Sequence, residues 1–439
     1  MAPGGSLISI VDIHPLRLRP DPRRVVVRPF HLAWQANGTE TSRALRLVTN
    51  VINLTKDEVT DELEHVYRDF DARHWQVEKV FERRYDQLVE QFGDAIDTTT
   101  LTPRRRQLLG AYFCHEYSYA AAAIMNPSVV AAPDQSGMSD GAVRFAMSLR
   151  TVGEGHISSI AFTQGIVSPG REVSIPDAPR IATAADVSAI KRGEPMVPGE
   201  PVTVYRHPDS DLSRTVIFPM TDAQRNGLED LRITPFHNGV GKTEWIGTYT
   251  AYDGRTIRSE MMRTKDFRKF ELVPMTGRAA RNKGMALFPR KVGGRYMMIG
   301  RQDGENLFLL TSNILTDWDD GVLLARPAYA WEYIQIGNCG APIELEEGWL
   351  LLTHGVGAMR RYAIGAMLLD KDDPSIVIGR TVKPILEPLD QERDGYVPNV
   401  VYTCGAMRVG DDLFLPFGIA DSSIGFGFVA IKELLALMV

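Results

Sequence analysis

LFPRKVGGRYMMIGR, Leu287 to Arg301, decides the fold. Two short apolar runs flank Gly293-Gly294, a pair that supplies the positive φ values a tight hairpin needs. The same texture recurs in YTAYDGRTIRSEMM (Tyr249 to Met262), PIELEEGWLLLTHG (Pro342 to Gly355) and AMRVGDDLFLPFG (Ala406 to Gly418). Units of this kind begin at about Arg144, Glu229, Asn282, Gly337 and Pro398. The last four starts lie roughly 50 to 60 residues apart, the length of a blade of about four strands. Five amphipathic units stacked around an axis would bury their faces, which predicts a mainly β chain built as a five-bladed β-propeller. A β-sandwich is the alternative, and it does not account for the long regular period.

Upstream, the periodicity is helical. Leu63, Val66 and Phe70, then Val77, Val80, Phe81, Leu88 and Phe92, recur at three or four residues. Thr55 and Glu58 form a capping-box pattern. A further helix is expected from LTPRRRQLL, with Thr102 as N-cap and Pro103 at the first helical position, running to about Ile124. The chain therefore divides into residues 1–125, a largely helical extension, and residues 126–439, the propeller. Phe70, Val77, Phe81 and Phe92 need a surface to cover them, either the chain's own propeller or a second copy, and a homo-oligomer is the expectation.

Composition narrows the function. With 439 residues, 44% of them hydrophobic, the chain can bury a large core. Its net charge of -6 argues against nucleic acid as the partner. No apolar run reaches the roughly 18 residues of a membrane helix, and the start lacks a basic, then apolar, signal pattern. Cys114, Cys339 and Cys404 are odd in number and far apart, which fits a reducing, cytoplasmic setting and no metal site. Three motifs fail on context. NGVGKT (Asn238 to Thr243) has Phe236 where a phosphate loop needs glycine, and a strand follows it. GFGFVA (Gly425 to Ala430) has no room for a βαβ unit. CHEY (Cys114 to Tyr117), read as helical, lacks metal-ligand spacing.

In a propeller the polar residues at blade starts converge on a central funnel. Those residues are Arg150, Asp230, Arg232, Lys283, Asp303, His354 and Asp421. In GLEDLRI (Gly227 to Ile233), ordinary strand alternation puts Asp230 and Arg232 on one face and Glu229 on the other. One acid among several cations suits cleavage of a glycosidic bond: the acid protonates the leaving oxygen, and the cations orient an anionic nucleophile such as phosphate. Trp331, Tyr333 and Tyr402 are candidates to stack on sugar faces.

From about Asn126 to Val439 the chain resembles glycoside hydrolase family 130, the mannoside phosphorylases and β-mannosidases on a five-bladed propeller. The resemblance rests on NPS at Asn126, GLEDLRI, TYTAYDG, NKGMALFPRKVGGRYMMIGRQ, IGNCGAPIELEEGWLLLTHGV, YAIGAMLLDKDDP, ILEP at Ile385, GYVPNVVYTCG and GIAD at Gly418, in that order. It implies that Asp230, in EDLR where the family has EDPR, is the proton donor, with Arg232 holding it. It implies phosphate or anion binding by Arg150, Lys283 and His354, and substrate binding by Asn126, Arg232, Asp303 and Asp421. It implies manno-oligosaccharide substrates, with inorganic phosphate as co-substrate and no metal or other cofactor.

One departure matters. The family phosphorylases carry SRIG where this chain has SSIA, so Ser159 stands in place of a second phosphate arginine. His156 and Arg360 are the candidates to compensate. Without compensation, hydrolysis by water is the alternative, with Glu154, Glu260 and Asp303 as spare acids. A non-catalytic carbohydrate-binding propeller is the more remote alternative.

Overall fold

A computed structural model describes residues 10–30, 40–74, 77–93, 96, 101–187, 199–239, 241 and 243–439. The first nine residues, and Val240 and Lys242 of NGVGKT, lie outside them.

The fold is mainly β, and the quoted hairpin forms as its sequence dictates. Val292 and Arg295 exchange both backbone hydrogen bonds, at 3.0 and 3.1 Å, around Gly293 (φ 56°) and Gly294 (φ 79°). Behind the turn, Tyr296–Gly300 pairs antiparallel with Ala286–Leu287 and with Leu307–Ser312. Met298, Ile299, Leu307 and Leu309 are buried against neighbouring sheets. Val322–Ala325 completes this four-stranded sheet.

Similar antiparallel packets precede and follow it. The first holds Ala123–Ala131, Val143–Val152 and Ser158–Ser168. The second holds Gly227–His237, Thr243–Tyr252, Ile257–Thr264 and Lys269–Pro274, and a parallel bridge from Gly227 to Ser158 joins it to the first. The fourth holds Gln335–Asn338, Trp349–Val356, Tyr362–Leu369 and Val377–Arg380. The fifth holds Val401–Tyr402, Asp412–Ile419 and Ser423–Ala430, and Asp12–Leu18 adds to it by pairing with Ser423–Ala430. The start of the chain thus closes the last sheet, although sequence reading assigned residues 1–125 to the extension.

The helices are α1 (Glu40–Ile52), α2 (Lys56–Phe70), α3 (Val77–Phe92) and α4 (Pro103–Tyr112), with a short α5 (Ile431–Ala436) near the end. The Thr55–Glu58 capping box is present, and Thr102 caps α4 with Pro103 following. A separate apolar cluster including Val48, Leu63, Leu88 and Leu108 holds the first four together. Gly110 of α4 lies against the backbone of Phe81 in α3, where a Cβ would clash with the carbonyl. Among the described residues no helix is long and apolar enough to cross a membrane.

One expectation is corrected. The helix expected to reach Ile124 stops at Tyr112, and Cys114–Ser118 is a strand paired with Val25–Pro29. Tyr117 and Tyr119 are both buried, a spacing of two that suits a strand better than a helix. CHEY is therefore strand, not helix.

Candidate active site

The site is built where two neighbouring strands depart from regular pairing. In Gly227–His237, Glu229 pairs with Thr250 but Arg232 pairs with Thr248, so Asp230 and Leu231 together face Tyr249. That is a β-bulge, and Asp230 takes φ 56° within it. In Ala123–Ala131, Met125 pairs with Arg150 and Ser128 with Ser148, so Asn126 and Pro127 together face Leu149, with Asn126 at φ 52°. The two bulges meet: the Asn126 amide donates to the Asp230 carboxylate at 2.6 Å.

This overturns the simple alternation expected of GLEDLRI. The bulge turns Glu229 and Asp230 toward the same partner. Arg150 donates to Glu229 at 2.8 Å and to Asp230 at 3.3 Å, and its Nε donates to Ser158 at 3.0 Å. Arg232 does not touch the Asp230 side chain. It donates to the Asp230 backbone carbonyl (3.0 Å), to Asn338 (3.2 Å) and to the Tyr402 hydroxyl (2.6 Å). Arg232 thus holds the bulge by its backbone and ties it to the fourth and fifth packets. Asn338 continues the network to the Gly284 carbonyl beside Lys283.

The electrostatics follow from this crowding. Burial alone would raise the Asp230 carboxyl. Arg150, Lys283, Arg232 and the Asn126 amide overcome it and bring the group down to about 2. Glu229 moves the other way, because burial and the Asp230 charge outweigh Arg150. Asp421 rises to about 6 through burial and Asp230, against Arg150, Arg360 and Lys283. It too is left-handed, at φ 46°, as is Ala420 at φ 49°. Three carboxyl groups therefore share one cationic patch, with Asp230 the most firmly ionised. Lys283 is half-buried and makes no direct ion pair among the described residues, while its charge reaches Asp230, Glu229, Asp421 and His354.

His354 is placed differently from the expected cationic ligand. It is 2% exposed, and burial with the nearby Arg301 and Arg232 charges drives its pKa well below the usual histidine range. Its Nδ1 lies 3.2 Å from the Asn338 carbonyl and so carries the proton, while Nε2 faces Arg301 at 3.4 Å. The ring is neutral, stacked on Tyr362 and edge-on to Tyr402. Asp303 is also outside the cluster: it is exposed and accepts from Glu305 and Asn306 of its own turn. Tyr402 is buried with its hydroxyl on Arg232, and the partly buried Trp331 packs over Gly355 and Gly365. Tyr333 is exposed.

Ser159 is fully buried and hydrogen-bonded to the Thr151 hydroxyl at 2.8 Å, so it faces away from Arg150 and Ser158. Glu260, named as a spare acid, is occupied by Tyr249, Gln224 and Arg258. Sequence reading missed Glu229, Ser158, Asn338 and Arg301. Glu229 was visible beside Asp230, but only the bulge makes it a neighbour of Arg150.

The family described as β-1,4-mannooligosaccharide phosphorylase matches residues 210–439. A β-1,2-mannobiose phosphorylase of Listeria innocua is 34% identical over 227 residues, covering 50% of this chain and 62% of that protein. A 1,2-β-oligomannan phosphorylase of Thermoanaerobacter is 33% identical over 228 residues, covering 51% and 75%. The chain thus spans less than two thirds of the Listeria relative. A putative glycoside hydrolase from Bacteroides ovatus shares the fold at TM-score 0.53 and 18% identity, over 73% of this chain and 90% of that one. One from Parabacteroides distasonis does so at TM-score 0.52 and 20% identity, over 73% and 90%. The family match extends over more than half of the chain, and it includes the bulge that carries Asp230: the chain belongs to glycoside hydrolase family 130.

Proposed function

We propose that this protein cleaves β-mannosidic bonds in manno-oligosaccharides by phosphorolysis, with inversion to α-mannose 1-phosphate. The observation that carries the reading is the convergence of Asp230 and Arg150, with Lys283 in the same field. A phosphate oxygen attacks the anomeric carbon from one side while the bond to the leaving oxygen breaks on the other. Asp230 supplies the proton to that oxygen, through a sugar hydroxyl in the manner the family resemblance implies. The proton lost by monohydrogen phosphate restores the acid, so the reaction balances. Arg150 and Lys283 bind the anion by charge-assisted contacts.

The depressed Asp230 pKa belongs to this account. A carboxyl near 2 is a poor acid at neutral pH. A phosphate dianion against Arg150 and Lys283 offsets the charges that hold it down, so binding the nucleophile makes the acid protonatable. Asn126 and Asp421 bind the sugar at the left-handed turns beside it. Arg232 and His354 position the bulge from beneath, and Asp303 acts only through its turn. No metal or organic cofactor takes part.

The architecture in this reading is a five-bladed propeller, residues 126–439, with the helices outside it and the first strand closing the ring. It is supported by a cavity of about 240 Å³ to which all five packets contribute, among them Val129, Ile233, Pro289, Ile343 and Met407. A cytoplasmic location accords with three free cysteines. A homo-oligomer is a further proposal, although Val77 and Phe81, two of the residues that motivated it, are already buried within the chain.

Hydrolysis is the second reading, favoured by the sealed Ser159 and by the nearby Asp421 as a base. β-1,2-Mannobiose is the first substrate to test, because both relatives above are named for β-1,2 linkages. Mannobiose consumption measured with and without phosphate separates the readings: phosphorolysis stops without it, and hydrolysis does not. A carbohydrate-binding module would consume nothing in either case, and its mannoside affinity would survive Asp230→Ala.

A further inference from the structure

Far from the bulges, α3 and the strand Val25–Pro29 enclose a cavity of about 640 Å³, within the size range of small-molecule sites. Its walls are mostly apolar, with Ile181, Phe218 and Met220 on the side facing α3. Its charges are one-sided. Arg28, Lys79, Arg83 and Arg84 line it, against Asp186 as the one acid among the described residues, and Asp186 is already paired with Arg83.

Arg28 and Arg84 are the informative pair. The Arg28 guanidinium lies 3.9 Å from the Phe218 ring centroid and 5.0 Å from that of Tyr117, with no hydrogen bond or ion pair from its side chain among the described residues. Arg84 is buried and, among the described residues, donates only to the Phe113 carbonyl and the Gln87 amide, both neutral. Burial lowers both guanidinium pKa values, and among the described residues no carboxylate opposes it. A cation withdrawn from water without a counter-charge is costly, and an anionic occupant would offset that cost.

An inorganic anion would leave the apolar wall unused, and a fatty acid would not need so many cations. We propose that this cavity binds an organic phosphate with a planar or apolar body, of the nucleoside monophosphate class. The phosphate meets Arg28, Arg84 and Lys79, and the body packs on Ile181, Phe218 and Met220. Among the described residues, none that lines this cavity belongs to the cleavage site.

Calorimetric titration of the full chain with adenosine 5′-monophosphate tests this, with adenosine and inorganic phosphate as controls. The nucleotide is expected to bind with Kd below about 1 mM, and more tightly than either control. Lys79→Glu, at an exposed position on α3, is expected to weaken it at least about tenfold, as is Arg28→Met. Arg150→Ala, in the cleavage site, is expected to leave it unchanged. If Arg28→Met does not fold, Lys79→Glu decides alone. No binding at about 1 mM, binding insensitive to Lys79→Glu, binding abolished by Arg150→Ala, or a control that binds as tightly would each overturn the proposal.

Discussion

The chain leaves ordinary strand geometry in two kinds of place. At Gly293-Gly294 a hairpin turns through positive φ, and glycine does this without steric cost. At Asn126 and Asp230 the backbone enters the same left-handed region inside paired strands, with side chains attached. Each such residue costs on the order of 1–3 kcal/mol. The hairpin uses the residue that the backbone prefers. The bulges keep residues that the backbone resists, because the amide and the carboxylate are the purpose of the bend. Asn126 donates to Asp230, and Asp230 and Glu229 both reach Arg150, only because both strands are bent at the same level.

The sharpest way to break this comparison is to keep the bulge and remove its chemistry. Asp230→Asn should lower turnover of unactivated mannosides by roughly 100- to 10,000-fold, with an unchanged circular dichroism spectrum. Near-normal turnover would make Asp230 a structural residue. Arg150→Ala removes one charge-assisted contact of about 1.5–3 kcal/mol, so the phosphate KM should rise roughly tenfold to a hundredfold. A change confined to the mannoside KM would place phosphate elsewhere.

Stability measurements sharpen the same contrast. Asp421 rises from 3.8 to about 6, so the folded state holds its proton more tightly than the unfolded chain. The sign follows: wild type should lose stability, relative to Asp421→Asn, as pH rises from about 4 to about 6, by about 3 kcal/mol at most. Thermal melts of the two proteins across that range check it, and parallel curves would contradict it. The smallest effects belong to the backbone itself. Gly294→Ala should destabilise by about 1 kcal/mol and leave turnover intact. Asp230→Gly relieves that strain but leaves Asn126 and Arg150 without this partner, so it should change stability by less than about 1 kcal/mol while abolishing turnover. Denaturant midpoints of both variants test that contrast.

What could be read from the sequence follows the same division. Hairpins were legible because turn chemistry is local: Gly293-Gly294 needs nothing distant to bend. The caps at Thr55 and Thr102 were legible for the same reason. The end of α4 was not, because Phe113 and Tyr117 keep a helical spacing of four while Tyr117 and Tyr119 are spaced as in a strand, and pairing with Val25–Pro29 decides. In the site, the residue types were legible from the family motifs, but their states were not. His354 looked like a cation and is neutral because burial and Arg301 make it so. Glu229 seemed to face away from Asp230 because a bulge has no signature in GLEDLRI. Ser159 looked like a gap in the phosphate site, yet it points to Thr151, a matter of strand pairing that residue identity does not reveal.

The central claim is that phosphate is the nucleophile at the cationic patch beside Asp230. Phosphorus NMR of the wild-type protein with β-1,2-mannobiose and inorganic phosphate tests it most directly. The account predicts a new α-mannose 1-phosphate resonance growing in step with the loss of mannobiose. Mannose release with no new phosphorus resonance, at a rate indifferent to added phosphate, would contradict it.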